Sequence, residues 1–179
     1  MTAHAYFPPD ADVQRFLKRL GELWPEGDDP SSNEILLVAE DAVEQCAHSA
    51  HLWYLRGQLI ALADDDAPYE LSDALLSWEA AVRVDEDHIE SHEAIADFCI
   101  NAIDDLPRAE TALRAAAQLG GGPWVYADLA RVLAQQQRLD EAMTTLHPDQ
   151  CPYGDDPLVE QTRELIAQGQ FSGNDEPRS

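Results

Sequence analysis

An internal repeat of helical segments constrains the fold of this chain more than any other feature. Aligning three segments superposes Trp53, His92 and Tyr126, at spacings of 39 and 34 residues, and a small residue follows each of them one helical turn later. A period of this length is typical of arrays in which each helical unit needs a neighbour to bury its apolar face. The three segments are HLWYLRGQLIALA from His51, ESHEAIADFCINA from Glu90 and WVYADLARVLAQQ from Trp124.

Helical spacing also covers the amino-terminal part of the chain. Apolar residues recur every three or four positions from Val13 to Trp24 and again from Ile35 to Cys46, the pattern of amphipathic helices. Sustained alternation of apolar and polar residues, which would indicate strands, does not occur. The sequence therefore predicts an all-α fold, with one domain over residues 11–168 between an N-terminal segment (1–10) and a disordered tail (169–179). The predicted helix hairpins cover about 11–47, 50–86, 89–119 and 124–147, and a capping helix covers about 157–168.

Small residues at equivalent positions indicate that the helices of each hairpin cross closely. Large side chains at these positions would push a helix pair apart. In the first helices the small residues are Gly57, Ala96 and Ala130, and in the second helices they are Ala74, Ala109 and Ala142.

With these residues the chain resembles the tetratricopeptide repeat (TPR) family, whose 34-residue unit is a helix hairpin. The best-matching segment is RLDEAMTTL from Arg138. The resemblance implies a right-handed superhelical array of antiparallel helix hairpins, a TPR-like α-solenoid with a C-terminal capping helix. The sequence departs from the family pattern in two places. The unit from residue 50 has an enlarged turn, and Pro148 is expected to shorten the second helix of the last hairpin.

The charge of the chain narrows the classes of partner. The sequence has 35 Asp and Glu against 11 Lys and Arg, a formal net charge of −24, with Lys18 as its one lysine. This negative charge would repel nucleic acid and anionic membranes. Two explanations of the acidity are about equally good: a basic partner, or a host with a salty cytoplasm. Three cysteines without a CxxC pair fit a reducing compartment, and no apolar run is long enough to span a membrane. A cytoplasmic location is expected.

The segment RVDEDHIESHEA places His88 and His92 four residues apart among carboxylates, a spacing that two metal ligands on one helix face would have. An enzyme using these residues is one hypothesis. However, the alignment places His92 in the aromatic packing position and His88 in a linker before the helix, where the geometry of a metal site is not fixed. No GxSxG, HExxH or glycine-rich phosphate loop occurs either. We therefore expect no catalytic residues, no metal and no cofactor.

The resemblance to TPR proteins also implies a binding surface, because first helices in that family line a concave groove. The expected function is protein–protein interaction, as an adaptor, scaffold or co-chaperone-like module without catalysis. The side chains expected to line this groove form a stripe that is mainly acidic. Acidic side chains favour a basic or amphipathic segment over the carboxylate ligands bound by some family members. The alternatives are that these residues are solvated helix faces, or that the repeats form a homo-oligomer. The predicted groove residues are Tyr54, Gln58, Leu62, Glu90, Glu93, Asp97, Asn101, Asp128, Arg131 and Gln135.

Overall fold

The regular elements in the described part of the chain are all α-helices. A computed structural model describes residues 10–27, 29–64 and 66–171, and within these ranges it contains nine α-helices and no strand. The predicted all-α class is thus confirmed. Most of the predicted N-terminal segment, and the predicted tail from residue 172, lie outside the described residues. The helices are α1 (Ala11–Leu23), α2 (Asn33–Gln45), α3 (Ala50–Ala61), α4 (Leu71–Val84), α5 (Ile89–Asn101), α6 (Leu106–Gln118), α7 (Pro123–Gln135), α8 (Leu139–Thr145) and α9 (Pro157–Ala167).

The chain divides into two compact units, Met1–His88 with α1 to α4 and Ile89–Ser179 with α5 to α9. Consecutive helices pack on each other within each unit, and α9 packs on both α7 and α8. Packing between neighbours in sequence is the pattern of an α-helical solenoid. A single continuous domain and a right-handed superhelix stay predictions.

Short polar residues and prolines set the beginnings of several helices. The Asp10 carboxylate accepts hydrogen bonds from the backbone N–H groups of Asp12 and Val13 at the start of α1. Ser32 and Ser49 cap α2 and α3 in the same manner, and such caps satisfy N–H groups that have no partner inside the helix. The residues next to each helix start are therefore enough to specify where these helices begin.

The first unit has a close helix crossing at Gly57, as the small-residue pattern predicted. A Cβ atom added at Gly57 would lie only 2.6 Å from Trp78 Cδ1 and 2.8 Å from Trp78 Cε2. Trp78 itself is buried on α4. Because this space is already filled by the indole ring, α3 and α4 can pack at this distance only with glycine at position 57.

A partly buried charge network fixes the enlarged turn between α3 and α4. Arg56 on α3 is only 13% exposed; its Nε donates to Glu40 Oε2 on α2 at 2.8 Å, and its Nη1 donates to the buried Ser77 hydroxyl on α4 at 2.5 Å. The Tyr69 hydroxyl in the turn donates to the same Glu40 oxygen at 3.2 Å. The network therefore joins three helices and the turn.

The second unit carries alanine where the first carries Gly57. Ala96 on α5 and Ala130 on α7 are completely buried, as are Ala109 on α6 and Ala142 on α8. Helix α8 has only seven residues, in agreement with the prediction that it is cut short before Pro148. Helix α9 packs on α7 and buries Val159; its role as a cap of the array stays a prediction.

A second charge network links α6 to the beginning of α8. Arg138 Nη1 donates to Glu110 Oε2 at 2.6 Å, and its Nε and Nη2 form a two-pronged contact with the Glu141 carboxylate at 2.7 and 2.6 Å. The Arg138 side chain is 34% exposed, so water reaches it more readily than Arg56. Its hydrogen bonds hold the short α8 against α6.

No helix among the described residues has both the length and the apolar character that crossing a membrane would require.

Candidate functional site

The second unit contains a polar pocket between α5 and α7, and most of the predicted groove residues of this unit lie in it. The pocket has a volume of about 290 Å³. Five of its lining residues belong to the predicted groove, and three do not. The lining residues are Asp97, Ile100, Asn101, Asp128, Arg131, Val132, Gln135 and Phe171.

Helix α5 contributes a carboxylate and an amide one turn apart. Asn101 Nδ2 donates to Asp97 Oδ1 at 2.7 Å, because residues four apart lie on the same face of a helix. This bond fixes the orientation of the Asp97 carboxylate. Both side chains are exposed, so the remaining lone pairs of the carboxylate and the amide oxygen can accept hydrogen bonds from a ligand.

Helix α7 contributes an ion pair. Arg131 and Asp128, three residues apart, form a salt bridge in which Asp128 is the more buried partner. Burial also lowers the pKa of the Arg131 guanidinium, because removal from water disfavours its charged form. Two carboxylates and one guanidinium therefore line the pocket, and the guanidinium already has a partner.

The apolar part of the pocket comes from Ile100, Val132 and Phe171. Phe171 follows α9, and the turn that leads to it is held by two hydrogen bonds to the end of that helix, Gly169 N–H to Ile166 O at 2.9 Å and Gln170 N–H to Leu165 O at 3.1 Å. The sequence predicted that residues 169–171 belong to a disordered tail, whereas the structure describes them as a turn that follows α9. An aromatic ring beside carboxylates suits a side chain that is both cationic and partly apolar.

Glu90 and Glu93 do not line this pocket, although both lie on α5. Glu90 is exposed and Glu93 is half-buried. Burial, and secondarily the negative charge of Glu90, raises the pKa of the Glu93 carboxyl. The two glutamates thus add negative charge to the amino-terminal part of the same helix.

The three predicted groove residues of the first unit have different surroundings. The Tyr54 ring lies 5.9 Å from the ring of His51 and 5.4 Å from that of His88, measured between centroids. Gln58 is half-buried on α3, and Leu62 is an exposed residue at the end of that helix. A single stripe shared by the residues of both units stays a prediction.

The two histidines considered as metal ligands fall on the linker and on a helix, as the alignment indicated. His88 precedes α5, and its ring packs against those of Tyr54 and His51, the latter at 5.8 Å. His92 is half-buried on α5. Within residues 10–27, 29–64 and 66–171, no three His, Cys, Asp or Glu side chains are arranged to hold a metal ion.

Sequence reasoning found the polar half of the pocket and missed its apolar half. Asp97, Asn101, Asp128, Arg131 and Gln135 could be identified because each lies three or four positions from the next on its helix. The position of Phe171 depends on how the chain leaves α9, and no local pattern signals that.

No protein-family model matches the chain, and a search of curated proteins finds no match either.

Proposed function

We propose that the protein is a non-catalytic protein–protein interaction module of the tetratricopeptide repeat type, which binds a basic or amphipathic segment of another protein. The observation that carries this proposal is the pocket between α5 and α7, in which five predicted groove residues from two first helices come together with three apolar side chains. An adaptor or scaffold needs such a surface and no reactive group.

The pocket favours a lysine or arginine side chain as its occupant. Asp97 and Asp128 provide carboxylates, and the Asn101 and Gln135 amides provide further hydrogen-bond acceptors. The Phe171 ring and the apolar side chains would contact the aliphatic part of the bound side chain. A carboxylate ligand would instead have to compete with Asp128 for Arg131, close to Asp97.

The net charge of −24 supports the same class of partner. A strongly acidic protein attracts basic segments over distances comparable to the Debye length, which raises the association rate. The proposed complex therefore forms faster and binds more tightly at low salt.

A peptide-binding experiment tests the proposal. The probe is a fluorescent 15-residue helical peptide with leucine on one face and lysine on the other, and its binding to the full chain is followed by anisotropy between 50 and 500 mM NaCl. We expect Kd to rise with salt. We expect the double variant Asp97→Asn, Asp128→Asn to bind about fivefold more weakly at low salt, because each partly exposed charge contributes less than about 1 kcal/mol.

The matched control is Glu160→Gln, which removes an exposed carboxylate from α9 without touching the pocket. It should bind the peptide as the wild type does, apart from a small general charge effect. An affinity that does not respond to salt, or a double variant that is indistinguishable from Glu160→Gln, would rule out the proposed site. A pull-down from the native host with the same variants would then identify the natural partner.

A further inference from the structure

The first unit has an apolar pocket of its own, formed by α2 and by the turn that precedes α4. Its volume is about 330 Å³, and Leu36, Leu37, Pro68 and Tyr69 line it together with Asn33. Leu37 is 65% exposed, the largest exposed fraction of any large apolar side chain in the described part of the chain. An exposed leucine at the edge of an apolar pocket is typical of a surface that binds another molecule.

Hydrogen bonds and ring contacts outside the pocket fix its Tyr69 wall. The Tyr69 hydroxyl donates to Glu40 Oε2 at 3.2 Å, and the Arg56 guanidinium carbon lies 5.3 Å from the centre of the Tyr69 ring. The other end of the same turn is held by a hydrogen bond from Ser31 N–H to Leu62 O at 2.9 Å. The pocket therefore exists before a ligand arrives, which lowers the entropic cost of binding.

The exposed face of α2 changes from apolar to acidic along its length. Leu37, Asp41 and Glu44 are four and three residues apart, so they lie on one face of the helix, and all three are exposed. A ligand that places an apolar group beside Leu37 would meet two carboxylates one and two turns further along α2.

We propose that this face of α2 docks an amphipathic helical segment of a partner protein. The segment places a bulky apolar side chain in the pocket beside Leu37 and presents Lys or Arg, about four and seven residues away, to Asp41 and Glu44. Helices that dock on helices use this spacing of anchor residues. The surface lies wholly in the first unit, so it is independent of the site proposed between α5 and α7.

Charge distinguishes this occupant from a second copy of the chain. Another copy would present its own Asp41 and Glu44 and would carry the same net charge of −24, so the two surfaces would repel each other. A basic partner is instead attracted by these carboxylates, while the pocket contributes the apolar contact.

The test uses the Leu/Lys peptide with the full chain, observed by methyl NMR. We expect the peptide to shift the methyl signals of Leu36 and Leu37, and we expect Leu37→Ser to weaken this binding about tenfold, as loss of a central apolar anchor typically does. The matched control is Leu76→Ser, which removes a leucine that is 56% exposed on α4 of the same unit and should leave Kd at this site unchanged. A conservative Leu37→Met variant should keep most of the affinity.

Charge variants complete the test. Asp41→Lys should weaken binding several-fold, and a peptide with glutamate in place of lysine should not shift the Leu36 and Leu37 signals. The methyl signals of Val132 report separately on the pocket between α5 and α7, so failure at one site is distinguishable from failure at the other. The proposal is overturned by equal effects of Leu37→Ser and Leu76→Ser, by unchanged Leu36 and Leu37 signals, or by a concentration-dependent dimer that Leu37→Ser abolishes.

Discussion

The two units place their charged side chains differently relative to their pockets. In the first unit, Arg56 and Glu40 lie outside the pocket lining, where they hold Tyr69, and the lining itself has no charged residue. In the second unit, Asp97, Asp128 and Arg131 are part of the lining. Charged side chains therefore support one wall of the first pocket from outside its lining, whereas in the second pocket they are part of the lining itself.

The helix crossings of the two units differ as well. Gly57 in the first unit faces the indole of Trp78, whereas the equivalent positions of the second unit hold Ala96 and Ala130, which are completely buried. The indole ring leaves no space for a Cβ at position 57, whereas the two alanines are buried with their Cβ atoms in place. The two units thus have different small residues at equivalent positions of their first helices.

The largest expected effect is on stability, from Gly57→Ala. The added Cβ would overlap the Trp78 ring, so we expect a loss of about 3 kcal/mol in the free energy of unfolding, the upper end of the range for overpacking. Urea unfolding followed by circular dichroism measures it. The control is Gly21→Ala on α1, where an added Cβ meets nothing within 4 Å and where alanine should stabilise the helix by about 0.5–1 kcal/mol.

A double variant sharpens the same comparison. In a Trp78→Leu background the indole ring is absent, and Gly57→Ala should then cost much less than it does beside Trp78. If the cost of Gly57→Ala is the same in both backgrounds, the close contact with the indole is not its cause.

The next largest effect is expected from Arg56→Met. This change leaves the Glu40 carboxylate without its Arg56 partner and the buried Ser77 hydroxyl without the charge-assisted bond, so we expect a loss of about 2 kcal/mol in unfolding free energy. Arg138→Met should cost less, because that side chain is more exposed and its ion pairs are more strongly screened. Equal losses, or a greater loss for Arg138→Met, would contradict the contrast between the two networks.

A smaller effect is expected at Glu93, in the way the free energy of unfolding depends on pH. Its pKa lies above its ordinary value of 4.5 in the folded protein, so the folded state binds this proton more tightly than the unfolded state does. Stability associated with Glu93 is therefore present below pH 4.5 and is lost as the pH rises through the raised value. Glu93→Gln should remove this loss and make the protein more stable at pH 7 than the wild type.

Urea unfolding at several pH values between 4 and 7 measures this effect, and Glu160→Gln on the exposed face of α9 serves as the control. The pH profile of the control should run parallel to that of the wild type. A Glu93→Gln profile that is also parallel to the wild type would mean that burial of Glu93 has no energetic consequence.

The helices could be predicted from the sequence because their signals are local. Apolar periodicity, the Ser32 and Ser49 caps and the early stop near Pro148 each involve residues within a few positions of one another. The close crossing at Gly57 was also predictable, since the repeat alignment places small residues at this position of each first helix; the facing Trp78 ring was not. These features explain why the predicted all-α class agrees with the structure.

The tertiary contacts of both pockets could not be predicted in this way. Arg56 and Glu40 are 16 residues apart, and Glu40 and Tyr69 are 29 apart; nothing in either local pattern pairs them. Phe171 reaches its pocket only because the chain turns at the end of α9. By contrast, Asp97 and Asn101, like Asp128 and Arg131, follow helical spacing, so the sequence could place the members of each pair on one face of a helix.

The sign of the effect of Arg131→Gln on binding of the Leu/Lys peptide tests the central claim most directly. The measurement is the ratio of Kd for variant and wild type at 50 mM NaCl, with occupancy of this site followed through the Val132 methyl signals. Arg131→Gln frees Asp128 from its ion pair. If the pocket between α5 and α7 receives a cationic side chain, the variant should therefore bind the Leu/Lys peptide about twofold to fivefold more tightly. A Glu-substituted peptide serves as the control. Weaker binding of the Leu/Lys peptide by Arg131→Gln, or tight binding of the Glu-substituted peptide that depends on Arg131, would contradict the account.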